Sequence, residues 1–109
     1  MGQWGRGDLT AIETARAATW FVYLVQAGRG QLYTGISTDP ERRLREHSAG
    51  GKGARALRGK GPLALVFQRA VGNRSKASVL EARIKKLSRM RKLQLISGEL
   101  NWETLMADA

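Results

Sequence analysis

Five side chains in this sequence are of types that together can act on a phosphodiester: Tyr23, Tyr33, Arg43, His47 and Glu81. Phosphoryl transfer needs a positioned water, a base beside it and a cation opposing the negative charge, usually with a divalent metal. Glu81 has the chemistry of the metal ligand, and Arg43 can make charge-assisted contacts to the scissile phosphate. Mg²⁺ is held by only one or two protein carboxylates and keeps several waters. With one acid in its stretch of chain, a single Mg²⁺ or Mn²⁺ is expected rather than a pair. The base stays open among three residues. A tyrosine, ordinarily titrating near 10, needs Arg43 and a metal-bound water to lower its pKa, or else relays a proton along a chain. His47, with a reference value of about 6.5, is the more obvious shuttle.

Taken singly, each residue also has a plain structural reading. Strand tyrosines pack, an isolated helix histidine is solvated, and Glu81 can pair with Lys85 at i+4. The case rests on the ordered set, and so on the elements that must bring it together.

Two short apolar runs, 20–25 and 31–36, read as strands joined by Gln26-Ala27-Gly28-Arg29-Gly30, a hairpin loop with glycines available for positive φ. Symmetry about Gly28 would set Tyr23 directly opposite Tyr33 on one face. A one-residue slip would separate them. A helix start follows. Either Thr38 and Glu41 form a capping box, or Asp39 caps with Pro40 at the first helical position. The helix should run to about Ser48 or Ala49 and end at Gly50-Gly51. Arg43 and His47, four apart, then share one face, Arg42 and Arg45 another, and Leu44 turns inward.

Further on, 63–70 reads as a third, well-buried strand. Ser75 then caps a long helix to about Lys92, with Ala77, Leu80, Ile84, Leu87 and Met90 or Arg91 as its apolar stripe. Lys76, Arg83, Lys86 and Lys92 fall outside that stripe, and Glu81 borders it. Trp102 and Leu105 mark a short docking helix before a frayed end. The division expected is a partly flexible extension over 1–19, with an alanine-rich helix at about 9–18; a single domain over 20–96; and a short helix and tail over 97–109.

The 109 residues carry a formal net charge of +10 and no cysteine. Disulfide frameworks, thiolate zinc sites and cysteine nucleophiles are thereby excluded. From His47 to Gly98 there are thirteen Lys or Arg and one acid, Glu81, so this stretch alone carries +12. A one-sign block suits a polyanion, nucleic acid before an anionic membrane. Lys52, Arg55, Arg58 and Lys60, in a glycine-punctuated segment, read as phosphate contacts together with Arg42 and Arg45. No apolar run reaches the length of a membrane span and no signal pattern opens the chain, so a cytoplasmic location is expected.

The ordered set resembles the GIY-YIG nuclease superfamily. The first motif reads Phe21-Val22-Tyr23 without its Gly-Ile, and the second Tyr33-Thr34-Gly35. The helix signature follows as Thr38-Asp39-Pro40-Glu41-Arg42-Arg43-Leu44-Arg45-Glu46-His47, and the glutamate segment as 77–87 around Glu81. The likeness covers about 19–96 and is nearest to small stand-alone bacterial members related to the Slx-type endonuclease catalytic domain. It implies an α/β fold of the α+β kind: a three-stranded antiparallel sheet flanked by helices. It further implies metal-dependent hydrolysis of DNA, with branched or single-stranded DNA as candidates and RNA still open. Tyr23, Tyr33, Arg43, His47 and Glu81 would be catalytic, and a protein partner could supply substrate choice. Some members carry an asparagine about a dozen residues after the glutamate; here that region is Leu93-Gln94-Leu95-Ile96, and Asn101 lies further on. The alternative function is a non-catalytic nucleic-acid-binding module with the same fold, and a third is a protein-interaction domain.

Overall fold

The computed structural model describes residues 19–48 and 62–109. The expected N-terminal helix and the basic segment with Lys52, Arg55, Arg58 and Lys60 lie outside the described residues. The chain forms β1 (Trp20–Gln26), β2 (Leu32–Ser37), α1 (Pro40–Ser48), β3 (Ala64–Gly72), α2 (Arg74–Lys85), α3 (Arg89–Ser97) and α4 (Trp102–Met106). The strands make one antiparallel sheet in the order β2-β1-β3, as the sequence implies.

The hairpin turns differently from the symmetric reading. Ala27 N–H donates to the Gln31 carbonyl at 2.9 Å, Gly30 N–H donates to the Ala27 carbonyl at 2.8 Å, and Gly30 has φ +89°. This is a three-residue loop closed by a left-handed glycine, a favoured way to turn a hairpin. It centres the register on Arg29, not Gly28, so Tyr23 pairs with Gly35 and Tyr33 with Val25. The register moves by an even step, so both tyrosines stay on one face as diagonal neighbours.

β1 is the central strand and has two buried faces. Val22 and Leu24 join Phe67, Val71, Ala77, Leu80, Ile84 and Leu95 in the main core. Tyr23 and Val25 are also buried, but point to the other side. β3 is not the well-buried strand expected: only Phe67 and Val71 of its residues are buried. A continuous apolar run suggested cover on both faces, whereas β3 is an edge strand. Two register shifts against β1 bend it, and Arg69 lays its guanidinium over Phe67, 4.5 Å from the ring centroid.

The long helix expected from Ser75 to Lys92 is two helices. Asn73 caps α2, its side chain accepting from Lys76 N–H at 2.8 Å, and Ser88 caps α3 by accepting from Arg91 N–H at 3.2 Å. The stripe of Ala77, Leu80 and Ile84 is fully buried, but Met90 is 67% exposed. The periodicity therefore fails after Leu87, where a second cap is available. α3 runs past Lys92 to Ser97, buries Leu95, and ends on left-handed Gly98. α4 docks Trp102 edge-on to Phe67, with centroids 5.6 Å apart.

The C-terminal end is not frayed. Arg83 donates to the carbonyls of Leu105, Ala107 and Asp108 at 2.8, 2.6 and 3.4 Å, a task its place outside the apolar stripe did not reveal. Among the described residues, no helix is long and apolar enough to cross a membrane.

The cap assignment gives a direct test. Asn73→Ala should lower stability in urea by about 1 kcal/mol. Ser75→Ala should stay within about 0.5 kcal/mol of the parent.

Candidate active site

β2 is an edge strand, and a concavity of about 460 Å³ straddles its free margin. Tyr33 and Gly35 line it from one face of the strand, and Leu32, Thr34 and Ile36 from the other. Tyr23, Arg43, His47 and Glu81 complete the wall. All five residues singled out by type and spacing thus reach one cavity, from β1, β2, α1 and α2.

Each is placed by a local device. Tyr23 sits on the central strand and is 6% exposed. The outer end of its ring lies where Gly35 has no side chain. A Cβ at Gly35 would fall 2.5 Å from Tyr23 Oη and 2.6 Å from Cζ, so only glycine admits the ring. Arg43 and His47 lie one turn apart on α1. Of the two capping schemes, Asp39 provides the cap: its Oδ1 accepts from Arg42 N–H at 3.2 Å, and its own N–H donates to Ser37 Oγ at 2.9 Å. Pro40 then opens the helix, where its missing N–H costs nothing.

Arg43 rests against Glu46, Nη1 to Oε1 at 3.3 Å, and Arg42 meets the same carboxylate at 3.7 Å. Pairs this exposed are weak, so Arg43 can turn to a phosphate at small cost. Arg42 and Arg45 stand exposed on the outer side of α1.

Among the described residues, Glu81 is the cavity's only carboxylate. Its side chain is 24% exposed and its Oε2 lies 3.3 Å from Lys85 Nζ. The plain structural reading of Glu81 is therefore realised, but inside the cavity. Lys85 and Lys92 also line this wall; the sequence reading gave neither a site role. Spacing could have found Lys85, one turn from Glu81. Asn101 is no substitute for the family's asparagine, because its side chain caps α4, accepting from Glu103 N–H at 2.8 Å.

The titrations follow from this packing. Burial raises the Tyr23 pKa above its ordinary value; Arg43 opposes this by charge and hydrogen bonding, and the Glu81 charge adds to the rise. The net shift is upward. Arg43 does pull the phenol down, as its type and place suggested, but desolvation outweighs it. His47 moves down, first through burial and then through the Arg43 charge, with Glu46 pulling the other way. Its Nδ1 is buried without a hydrogen-bond partner. The cavity thus holds a neutral phenol, a neutral imidazole with a free ring nitrogen, a carboxylate and several cations.

Among the described residues no three His, Cys, Asp or Glu gather as a closed metal site. The donor set does fit a hard divalent cation that takes one protein carboxylate and completes its shell with water and substrate phosphate oxygens.

Comparison with known proteins assigns the class to which this sheet and edge cavity belong. Residues 19–94 match the family described as the GIY-YIG catalytic domain, and the chain belongs to that family, an endonuclease superfamily that acts on nucleic acid. It is similar to a UPF0213 protein of Aeromonas hydrophila, 53% identical over 84% of this chain and 66% of the relative. It is also similar to a UPF0213 protein of Klebsiella pneumoniae, 52% identical over 81% of this chain and 82% of the relative. The chain spans about two thirds of the Aeromonas relative's length. The solution structure of a protein from E. faecalis superposes with a TM-score of 0.53 at 33% identity, covering 74% of this chain and 85% of that one.

Two measurements check this geometry. Gly35→Ala should displace the Tyr23 ring and destabilise the protein by about 1–3 kcal/mol, with the Tyr23 ring protons shifting most in the NMR spectrum. His47 is the sole histidine, so its titration is read without ambiguity. Its midpoint should lie below about 6.5 and rise in Arg43→Ala. A depressed folded-state pKa also means that this ring's contribution to stability is present above about pH 6.5 and is lost as pH falls.

Proposed function

We propose that the protein is a divalent-metal-dependent endonuclease that hydrolyses DNA phosphodiester bonds. The observation that carries this reading is the convergence of Tyr23, Tyr33, Arg43, His47 and Glu81, drawn from four elements, on one cavity of a chain in the GIY-YIG family. Glu81 would hold the cation, Mg²⁺ or Mn²⁺, through one carboxylate. A bound divalent ion supplies Lewis-acid stabilisation of phosphoryl oxygens.

The remaining work falls to the chain's own groups. Arg43 leaves Glu46 and takes the phosphate oxygens in charge-assisted hydrogen bonds. His47 lines the cavity with its pKa lowered toward the neutral ring, so it is the group placed to take a proton from the attacking water. Tyr23 keeps its proton at neutral pH and donates a hydrogen bond to the reacting phosphate. Tyr33, on the same face, orients the strand. Exposed Arg42 and Arg45, with Lys52, Arg55, Arg58 and Lys60, would carry the flanking backbone. Branched and single-stranded DNA are the preferred candidates, because an edge cavity admits a single backbone more readily than a stacked duplex.

Glu81→Ala and Arg43→Ala should each abolish metal-dependent nicking, a loss of at least about 100-fold for one such group, while circular dichroism stays that of the parent. A panel of branched, flapped, single-stranded and duplex DNA, with RNA and both metals, reads activity and preference together. Full cleavage by the Glu81→Ala protein would overturn the metal assignment. Salt-dependent binding without cleavage by the parent would leave the non-catalytic nucleic-acid-binding module.

A further inference from the structure

Beside the main cavity lies a second concavity of about 260 Å³, lined by Gln31, Leu32, Arg89 and Lys92. The two share Leu32 and Lys92, so they form one groove from Glu81 along the β2 edge to the hairpin tip. Among the described residues no acid lines the second concavity. Arg89 spends one nitrogen on the Gly30 carbonyl at 2.7 Å, which fastens α3 to the tip. Lys92 is half-buried, and its ammonium has no ion pair or hydrogen bond among the described residues. Gln31 completes the lining from the hairpin end, its Oε1 buried with no hydrogen-bond partner among the described residues.

The break in the helix creates this arrangement. In an unbroken α2, Lys92 would stand roughly 16 Å along the axis from Glu81. The turn between Lys85 and Arg89 starts a new axis, and both residues then line one cavity. The Lys92 cation faces a groove that opens from the reactive end, where a phosphate is a fitting partner.

We propose that Lys92, with Gln31 and Arg89, forms a second phosphate subsite that holds the nucleic-acid backbone next to the reacting phosphodiester. This rests on the nuclease reading for the identity of the strand. It adds a binding direction: the strand leaves the reactive centre along the β2 edge toward the hairpin tip, on α3, away from the basic residues of α1.

The test is binding without metal, so that it stands apart from cleavage. The affinity of a fluorescent single-stranded DNA dodecamer is measured against salt for the parent, Lys92→Gln, Lys92→Arg and Lys86→Gln. Lys86 is an exposed cation that lines neither cavity. One lost phosphate contact on a single strand should reduce the slope of log K against log salt by about 0.7 in Lys92→Gln, whereas Lys92→Arg and Lys86→Gln keep the parent slope. Gln31→Glu, which places a carboxylate in the concavity, should weaken dodecamer binding should Lys92→Gln melt early and be unusable. With metal, Lys92→Gln should raise KM for the dodecamer, and Lys86→Gln should keep the parent KM. Parent-like slope in Lys92→Gln, or an equal loss in Lys86→Gln, overturns the subsite. The slope change in a protein that cleaves nothing supports the subsite and overturns the nuclease reading alone.

Discussion

Tyr23 lies across β2 at the one position on that face where no side chain stands: a Cβ on Gly35 would meet its hydroxyl at 2.5 Å. Much else is needed to bring those two residues together. The pairing of Tyr23 with Gly35 follows from the hairpin register, and the register follows from a three-residue loop that needs Gly30 at φ +89°. A one-residue slip would turn the phenol into the main core, among Val22 and Leu24. A glycine at the tip, another in β2 and a tyrosine in β1 thus act as one device that lays an aromatic hydroxyl beside the free edge of the sheet.

The charges around that hydroxyl are arranged to be exchanged. Arg43 and Arg42 share Glu46, and Lys85 holds Glu81, all at 3.3–3.7 Å and all partly exposed. Screened pairs of this kind contribute little to stability, and a phosphate or a cation can replace either partner. Arg43 also bears on both titrating groups, pulling Tyr23 down against the larger effect of burial and pushing His47 further down. Burial keeps the phenol protonated against Arg43, while burial and Arg43 together favour the neutral imidazole.

The parts of this design that depend on local chemistry were legible in the sequence. Asp39-Pro40 marks a helix start, Arg43 and His47 share a face by spacing alone, and the lone Glu81 in a basic block stands out by composition. The parts set by competition between neighbours were not. Gly28 and Gly30 both offer positive φ, and only strand pairing chooses Gly30. An apolar run reads as buried wherever it lies in a sheet, so the edge position of β3 was hidden. Helical periodicity continued through Leu87, and nothing local ranks Ser88 as a cap above an unbroken helix. The roles of Arg83 and Lys92 depend on elements distant in sequence.

The sheet also separates holding the fold from doing chemistry. Alternation along β1 sends Val22 and Leu24 into the core with α2, α3 and α4, and sends Tyr23 and Val25 to the other side. None of the five site residues belongs to the main core, and α2 contributes Leu80 and Ile84 to it while presenting Glu81 from the adjoining face. Tyr23 and Glu81 are therefore anchored by core residues one position away, Val22 and Leu24 for the phenol and Leu80 for the carboxylate. In so small a protein, where the core has little stability to spare, this adjacency lets charged and polar groups gather at one edge without weakening the packing that fixes them.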